Sequence, residues 1–205
     1  MILSDNHIKA LCTGSDAMIT PFRADQVRRG EGNIPAISYG LSSYGYDITL
    51  SDVGLRLFRQ RLPSGQLPTM DSVIDPKAFN EEIAGFLHVR YGQDADGLHY
   101  LLPPRAYALG VSVETFDLPN NVMGICYCKS TYARCGLMVN TTPLEPGWRG
   151  KLVIELANLT DIAIKVYANE GIAQVVFWCG DRPNVTYDDR SGKYQDQKGI
   201  QTAKI

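Results

Sequence analysis

The stretch that decides the fold joins an apolar strand to a polar turn, and it reads VMGICYCKSTYARCG over residues 122–136. Valine, isoleucine and tyrosine favour a strand in the first half, and a glycine ends the second half. In the turn, Lys129 and Arg134 bring positive charge, while Ser130 and Thr131 bring hydroxyl donors. These side chains and the N–H groups of a turn suit the oxygens of a polyphosphate. A capped surface turn with two ordinary cations explains the same residues equally well.

Short strand patterns continue outward from this stretch along most of the chain. Each is bounded by Gly, Pro, Asp or Asn, and 19 glycines and 11 prolines supply the turns between them. This spacing predicts a mainly β sandwich or barrel. One short helix is expected after Ser4, where Ile8 and Leu11 share a helical face. The predicted strands are Ile37–Leu50, Leu55–Arg59, Phe86–Tyr91, Tyr107–Val113, Val122–Lys129, Lys151–Leu159, Ile162–Tyr167 and Ala173–Cys179.

The length of 205 residues predicts a single domain over residues 1–205. Within it, residues 50–100 are expected to form a variable excursion, because residues 60–82 carry three prolines and little periodicity. Residues 188–205 are polar and are expected to lie outside the core. Asp47, in the sequence YGYD, is expected to organise a turn.

Composition excludes several classes of partner. The net charge of −2, from 20 Lys and Arg against 22 Asp and Glu, offers no overall basic surface, so no nucleic-acid partner is predicted. No apolar run approaches the roughly 18–20 residues that span a bilayer, so no membrane partner is predicted. Because no signal-peptide pattern opens the chain, a cytoplasmic location is expected.

Metal signatures are missing from the sequence. Its three histidines, His7, His88 and His99, form no H-x-E or H-E-x-x-H pattern, and no C-x-x-C occurs. The cysteines are expected to be buried, reduced thiols. The sequence therefore predicts no zinc site.

One carboxylate stands inside an apolar strand pattern. Glu155 lies between Ile154 and Leu156, and alternation places it on one face with Val153 and Ala157. Glutamate is seldom fully buried, so a solvent-facing side chain is the more general expectation. If the side chain is buried, desolvation raises its pKa toward the range of a general base.

Six ordered motifs resemble the dCTP deaminase family, a branch of the dUTPase-like superfamily. They are ISYGLSSYGYD (37–47), PPRAYAL (103–109), KSTYARCGLMVNTTPLEPGWRG (129–150), VIELAN (153–158), NEGIAQVVF (169–177) and DRSGKYQDQKG (189–199). The resemblance implies a distorted dUTPase-like β-barrel of the β-clip or jelly-roll type, assembled as a homotrimer with active sites between subunits. It also implies a hydrolase that acts on a cyclic amidine C–N bond and converts dCTP to dUTP and ammonia, which supplies dUMP and dTTP synthesis.

The resemblance assigns roles to individual residues. Glu155 falls on the family's catalytic glutamate, and Ser130 and Arg134 fall on the polar pair that positions the attacking water. Residues 188–205 are implied to close over the phosphates as a lid. The implied substrate-binding residues are Lys129, Ser130, Thr131, Tyr132, Ala133, Arg134, Val153, Ile154, Glu155, Gln174, Tyr187, Lys193 and Gln197.

The implied chemistry needs no tightly bound cofactor and no zinc. Water activation falls to Glu155 as general base, and Mg²⁺ accompanies the substrate triphosphate. The implied partners are dCTP as substrate, dUTP as product, dTTP as a candidate inhibitor and further copies of the chain.

Three other functions fit the same motifs. The hairpin LEPGWRG (144–150) resembles that of dUTP hydrolases in Gly147 and Arg149, and Glu145 occupies the place of their aspartate. This allows a bifunctional enzyme that makes dUMP and diphosphate from dCTP, or a dUTP hydrolase alone. A non-enzymatic, trimeric nucleotide-binding regulator is the third alternative. An enzyme needs Glu155, Ser130 and Arg134 to converge on one cytosine ring, whereas a regulator does not.

Overall fold

The computed structural model describes residues 1–58, 73–84, 87–89 and 92–204, and this part of the chain is mainly β, as predicted. The helices are α1 (Asp5–Leu11), α2 (Glu81–Ala84) and α3 (Ser130–Ala133), with a 3-10 turn at Glu31–Asn33. The strands are β1 (Ile19–Thr20), β2 (Val27–Arg29), β3 (Pro35–Ser42), β4 (Gly45–Thr49), β5 (Leu55–Leu57), β6 (Leu87–Val89), β7 (Gly92–Asp94), β8 (Gly97–Leu102), β9 (Tyr107–Asp117), β10 (Val122–Cys128), β11 (Leu137–Asn140), β12 (Arg149–Asn158), β13 (Ile164–Tyr167) and β14 (Gly171–Cys179).

The strands form three antiparallel sheets around one apolar core. The largest has the order β11-β12-β9-β5-β6, with β1 also paired to β9, and the second has the order β10-β14-β4-β3-β2. The third has the order β13-β8-β7. The prediction of a mainly β fold is confirmed. Among the described strands, however, the pairings form open paths and no closed ring of hydrogen bonds.

Alternation along β12 decides which side chains enter the core. Leu152, Ile154 and Leu156 are buried, and the residues between them are only partly covered. Fully burying each of these aliphatic side chains contributes about 1.5–3 kcal/mol. Glu155 therefore points away from this core, on the partly covered face, as the period of two in a strand requires.

Several predicted elements differ from the observed ones. The predicted strand Ile37–Leu50 is a hairpin, because β3 ends at Ser42 and β4 begins at Gly45. Asp47, expected to organise a turn, lies inside β4 and is 2% exposed. Strands β1, β2, β7, β8 and β11 were not predicted. Of the excursion predicted for residues 50–100, residues 59–72, 85–86 and 90–91 lie outside the described residues, and the described part includes β5, α2, β6 and β7.

Strand β9 bulges where it meets the start of β12, and the register shifts between Lys151 and Val153. The Ser112 hydroxyl holds the bulge: it accepts a hydrogen bond from Leu152 N at 2.9 Å and donates one to the backbone oxygen of Glu114 at 2.6 Å. Bulges of this kind redirect the side chains beside them. Here a glutamate side chain is turned into the protein interior.

Glu114 is 2% exposed, and both of its carboxylate oxygens accept hydrogen bonds. Thr49 donates its backbone N–H to Oε2 at 3.0 Å and its hydroxyl to Oε1 at 3.0 Å. Burial raises the pKa of Glu114 to about 7, and hydrogen bonds from Thr49 oppose the rise. Nearby, the Lys151 ammonium donates hydrogen bonds to the backbone oxygens of Ser112, at 3.3 Å, and Val113.

No helix in the described residues has the length and apolar character that crossing a membrane requires.

Candidate active site

The carboxylate of Glu155 lies at the middle of β12, between β11 and β9. Its residue pairs with Asn140 on one side and Leu109 on the other. The Asn140 side-chain amide donates a hydrogen bond to Glu155 Oε2 at 2.9 Å. Among the described residues no group donates to Oε1. Glu155 is therefore a half-buried carboxylate that is held at one oxygen and open at the other.

Burial raises the pKa of Glu155, and the hydrogen bond from Asn140 lowers it in part. The negative charge also acts on neighbours, since it adds to the burial that raises the pKa of Tyr107 to about 12 and that of Cys126 to about 12. These residues lie on β9 and β10. No Lys, Arg or His of the described chain forms an ion pair with Glu155, so the carboxylate accepts protons more readily than an exposed one.

The polar turn after β10 begins as the short helix α3. The backbone N–H groups of Ala133 and Arg134 donate to Lys129 O and Ser130 O at 3.0 and 3.1 Å. Ser130, Thr131 and Arg134 are exposed, and their side chains form no hydrogen bond or ion pair with any described residue. Two hydroxyls and one guanidinium are thus free to bind an anion.

Two residues of the turn point inward. Tyr132 is 3% exposed, and its hydroxyl accepts a hydrogen bond from Tyr167 N at 2.8 Å. Lys129 extends beneath the turn, where its ammonium lies 2.7 Å from Asp47 Oδ2. These contacts fix the turn to the sheets, so the exposed residues are presented from a rigid base.

The C-terminal segment, residues 186–204, lies on the hairpin before β12. The Trp148 indole donates to Tyr194 O at 3.0 Å, and Gln197 Nε2 donates to Lys151 O at 2.5 Å. Gln197, predicted to hold the nucleotide, is 6% exposed and bonded to β12. Tyr187 accepts a hydrogen bond from Tyr194 N at 3.0 Å. The predicted lid is thus packed on its own chain in this structure.

The remaining predicted contacts are spread over other strands. Lys193 is exposed, and its ammonium donates to Lys204 O at 3.2 Å. Gln174, on β14, donates its side-chain amide to the Ser42 hydroxyl at 2.9 Å. Val153 is half-buried, and the Ile154 side chain is fully buried, so Ile154 has only its backbone to offer a ligand.

Within one chain, no hydrogen bond or ion pair joins Glu155 to Ser130 or Arg134 among the described residues. Neither the negative charge of Glu155 nor the positive charge of Arg134 has an ion-pair partner there. Sequence reasoning also missed Asn140, whose only signal was its place at the end of an apolar run just before a turn.

Among the described residues, no group of three or more His, Cys, Asp or Glu side chains is placed to hold a metal ion.

Known proteins match nearly the whole chain. A family model described as dCTP deaminase-like matches residues 2–180. The chain is 45% identical over 190 residues to a protein named dCTP deaminase from Campylobacter curvus, which is 92% of this chain and 90% of that protein. It is 44% identical over 205 residues to one of the same name from Herpetosiphon aurantiacus, which is 100% of this chain and 99% of that protein.

A solved structure shares the fold. The crystal structure of 2'-deoxycytidine 5'-triphosphate deaminase from Agrobacterium tumefaciens superposes with a TM-score of 0.57 at 15% identity. The superposition covers 87% of this chain and 48% of that chain, so this chain spans about half of its length. The sequence motifs, the family model and the relatives agree, and the chain belongs to the dCTP deaminase-like family.

Proposed function

We propose that this protein is a dCTP deaminase that hydrolyses dCTP to dUTP and ammonia, with Glu155 as the general base. The observation that carries the proposal is the Glu155 carboxylate itself. It is half-buried, it has a raised pKa, and among the described residues only Asn140 donates a hydrogen bond to it, at one oxygen. Relatives named dCTP deaminase, which align along nearly the full chain, support the substrate.

In the proposed reaction, the open Oε1 of Glu155 accepts a proton from water as the water oxygen attacks C4 of the cytosine ring. Glu155 delivers this proton to the ring nitrogen N3, and a tetrahedral intermediate with a hydroxyl on C4 forms. Glu155 then takes the proton of that hydroxyl and passes it to the amino group, the C4–N bond breaks, and ammonia leaves as the C4 carbonyl forms. The carboxylate ends ionised, as it began. Such general acid–base help accelerates a reaction by ~10²–10⁴-fold.

The exposed side of the turn after β10, residues 130–134, is the proposed site for the triphosphate. The side chains of Ser130, Thr131 and Arg134 are exposed and have no partner among the described residues, which supports this assignment, because hydroxyls and a guanidinium suit phosphate oxygens. Lys193, whose ammonium contacts a backbone oxygen, adds a further cation in the proposal. Mg²⁺ accompanies the triphosphate, and no zinc takes part.

The homotrimer implied by the family resemblance belongs to the proposal. Glu155 has no cation partner and Arg134 has no anion partner among the described residues, so each lacks its counterpart within one chain. A site built between copies brings Arg134 and Ser130 of one copy to the Glu155 of another. Arg134 then balances charge that develops on the attacking oxygen.

The test is to incubate the protein with dCTP and Mg²⁺ and to separate ammonia, dUTP, dUMP and diphosphate. Equal amounts of ammonia and dUTP are expected, with no diphosphate. Diphosphate and dUMP without added dUTP hydrolase would favour the bifunctional alternative. Nucleotide binding without ammonia release would contradict the deaminase and favour the regulator. The same assay with added dTTP tests inhibition.

A further inference from the structure

A buried ion pair lies directly beneath the proposed phosphate turn. The Lys129 ammonium donates hydrogen bonds to Asp47 Oδ2 at 2.7 Å and to the Ser38 hydroxyl at 3.1 Å. Only 12% of the Lys129 side chain and 3% of the Asp47 side chain is exposed. Gln26 Nε2 donates to the same Asp47 oxygen at 3.0 Å. The Lys129 ammonium is thus paired with buried groups inside the protein.

The backbone of Lys129 is held as firmly as its side chain. Its N–H donates to Ile172 O at 3.3 Å, and its carbonyl accepts from Ala133 N at 3.0 Å. Lys129 is the residue at which the extended backbone of β10 turns into α3. The residue therefore joins three parts of the molecule: the strand, the helical turn and the β3–β4 hairpin that carries Asp47.

A glycine on β14 makes room for this arrangement. A Cβ at Gly171 would lie 2.0 Å from Ser38 O and 3.0 Å from Lys129 Cδ. Any larger residue there would displace the β3 backbone or the Lys129 side chain. The path of the lysine to Asp47 is therefore built into the close approach of β14 to β3.

For Lys129 to reach a phosphate, its ammonium would have to leave Asp47. That movement would strand an ionised carboxylate in the interior, which is strongly unfavourable, since breaking a buried ion pair costs more than replacing both partners by neutral groups. The side chains of Arg134, Ser130 and Thr131 form no such contact with any described residue. The two cations of the turn are consequently not equivalent.

We propose that Asp47 is a positioning residue for the triphosphate-binding turn, and that Lys129 acts as a strut to Asp47 rather than as a phosphate ligand. The proposal rests on the proposed function for its substrate. Through Lys129, Asp47 fixes the start of α3, so that Ser130, Thr131 and Arg134 face the anion. Arg134 is then the cation of this turn that binds polyphosphate.

The test is a double-mutant cycle with Lys129→Met, Asp47→Asn and the double variant, with KM and kcat for dCTP and urea unfolding measured for each. Each single variant leaves one buried charge unpaired, so reduced stability and a KM at least tenfold higher are expected. In the double variant no buried charge is left unpaired to pull the turn out of place, and the backbone bonds of residue 129 to Ile172 and Ala133 remain. It is therefore expected to regain most of the stability and a KM within about threefold of the original protein, with kcat unchanged. A double variant whose KM stays tenfold raised contradicts the strut, as does one that does not fold.

Matched controls separate this pair from lysine–aspartate pairs in general. Lys165 and Asp94 form a pair of 2.6 Å whose side chains are 33% and 39% exposed. The variants Lys165→Met and Asp94→Asn are expected to leave KM unchanged and to show little coupling, because exposed pairs contribute little. Coupling as large as that of the buried pair would contradict the role of burial.

Calorimetric titration with inorganic tripolyphosphate makes the outcome independent of deamination. The double variant is expected to bind this probe as the original protein does, and Arg134→Gln is expected to bind it at least tenfold more weakly. Weak binding by the double variant, or no binding by the original protein, overturns the inference. If the probe binds as expected but dCTP releases no ammonia, the proposed function fails and the strut stands.

Discussion

Glu114 and Glu155 lie on the paired strands β9 and β12, yet their carboxylates meet different surroundings. Both oxygens of Glu114 accept hydrogen bonds from Thr49, and the side chain is sealed in the core. Within the described part of the chain, Glu155 accepts one hydrogen bond, from Asn140, and its other oxygen is open. Burial raises the pKa of both. A raised pKa alone therefore does not mark a functional carboxylate, whereas an open oxygen on a partly covered face distinguishes the two.

The largest expected effect comes from Glu155→Gln, which keeps the shape of the side chain and removes the proposed base. Ammonia release from dCTP is expected to fall by ~10²–10⁴-fold, the usual contribution of general acid–base catalysis. Thermal unfolding is expected to change little, because the amide can still accept from Asn140. The control is Glu82→Gln, an exposed glutamate in α2. Substantial deamination by Glu155→Gln would remove the distinction between the two glutamates.

Glu114→Gln tests the other half of the comparison through stability. Folded Glu114 holds its proton up to about pH 7, whereas the unfolded chain releases it near its ordinary value of 4.5. The stability from this group is therefore full below pH 4.5 and is lost as the pH rises to about 7. That gap corresponds to a loss of about 3 kcal/mol at most.

Urea unfolding between pH 4.5 and 7.5 checks this prediction. The original protein is expected to lose stability across the window, and Glu114→Gln is expected to show a smaller loss while still releasing ammonia. An equal loss in both proteins, or a variant inactive although folded, would show that Glu114 is not a purely structural carboxylate.

Asn140→Leu tests the single bond that holds Glu155. Removing the donor withdraws the contact that lowers the pKa of Glu155, so the pKa rises further and less base is ionised at a given pH. The acid limb of the kcat/KM profile is expected to move to higher pH. On the acid limb itself, kcat/KM is expected to fall by up to about fivefold, which corresponds to a net hydrogen bond of ~1 kcal/mol. An acid limb at unchanged pH would show that Asn140 does not influence the pKa of the proposed base.

The smallest effect is expected from a carboxylate that is not buried. Asp196 lies 2.5 Å from Arg149, and their side chains are 55% and 47% exposed. The hydrogen bond from Arg149 lowers the pKa of Asp196, so its stabilising effect is present above 3.8, the ordinary value, and is lost at lower pH. Because water screens the pair, Asp196→Asn is expected to change the free energy of unfolding at pH 7 by only ~0.5 kcal/mol. Urea unfolding measures it, and a change as large as that of Glu114→Gln would contradict the ranking by burial.

What could be predicted follows from the range of the interactions. Alternation along the sequence KLVIELAN predicted the face of Glu155, because side-chain direction in a strand is a local property. The family and the mainly β fold were predicted from ordered motifs. The degree of burial of Glu155 was left open, since it depends on Tyr107 and Cys126 from two other strands.

Two contacts of the proposed site could not be predicted because they are non-local. Asp47 and Lys129 are 82 positions apart, and a local pattern gave Asp47 a turn instead of an ion pair. Lys129 was predicted as a phosphate ligand, which stays a prediction that the double-mutant cycle tests against the strut. Asn140 meets Glu155 only through the pairing of β11 with β12, whose register no sequence signal specified.

The contact of the C-terminal segment with β12 has a consequence for exchange with solvent. Gly150 and Gln197 form a parallel bridge, and Lys151 N donates to Gln197 O at 2.8 Å. A Cβ at Gly150 would lie 2.9 Å from Gln197 N, so this close approach needs glycine. The amide hydrogen of Lys151 should therefore exchange with deuterium only when the segment detaches. The degree to which this amide hydrogen is protected from exchange therefore measures how often the segment opens. The reporting amide lies on the same strand that carries Glu155.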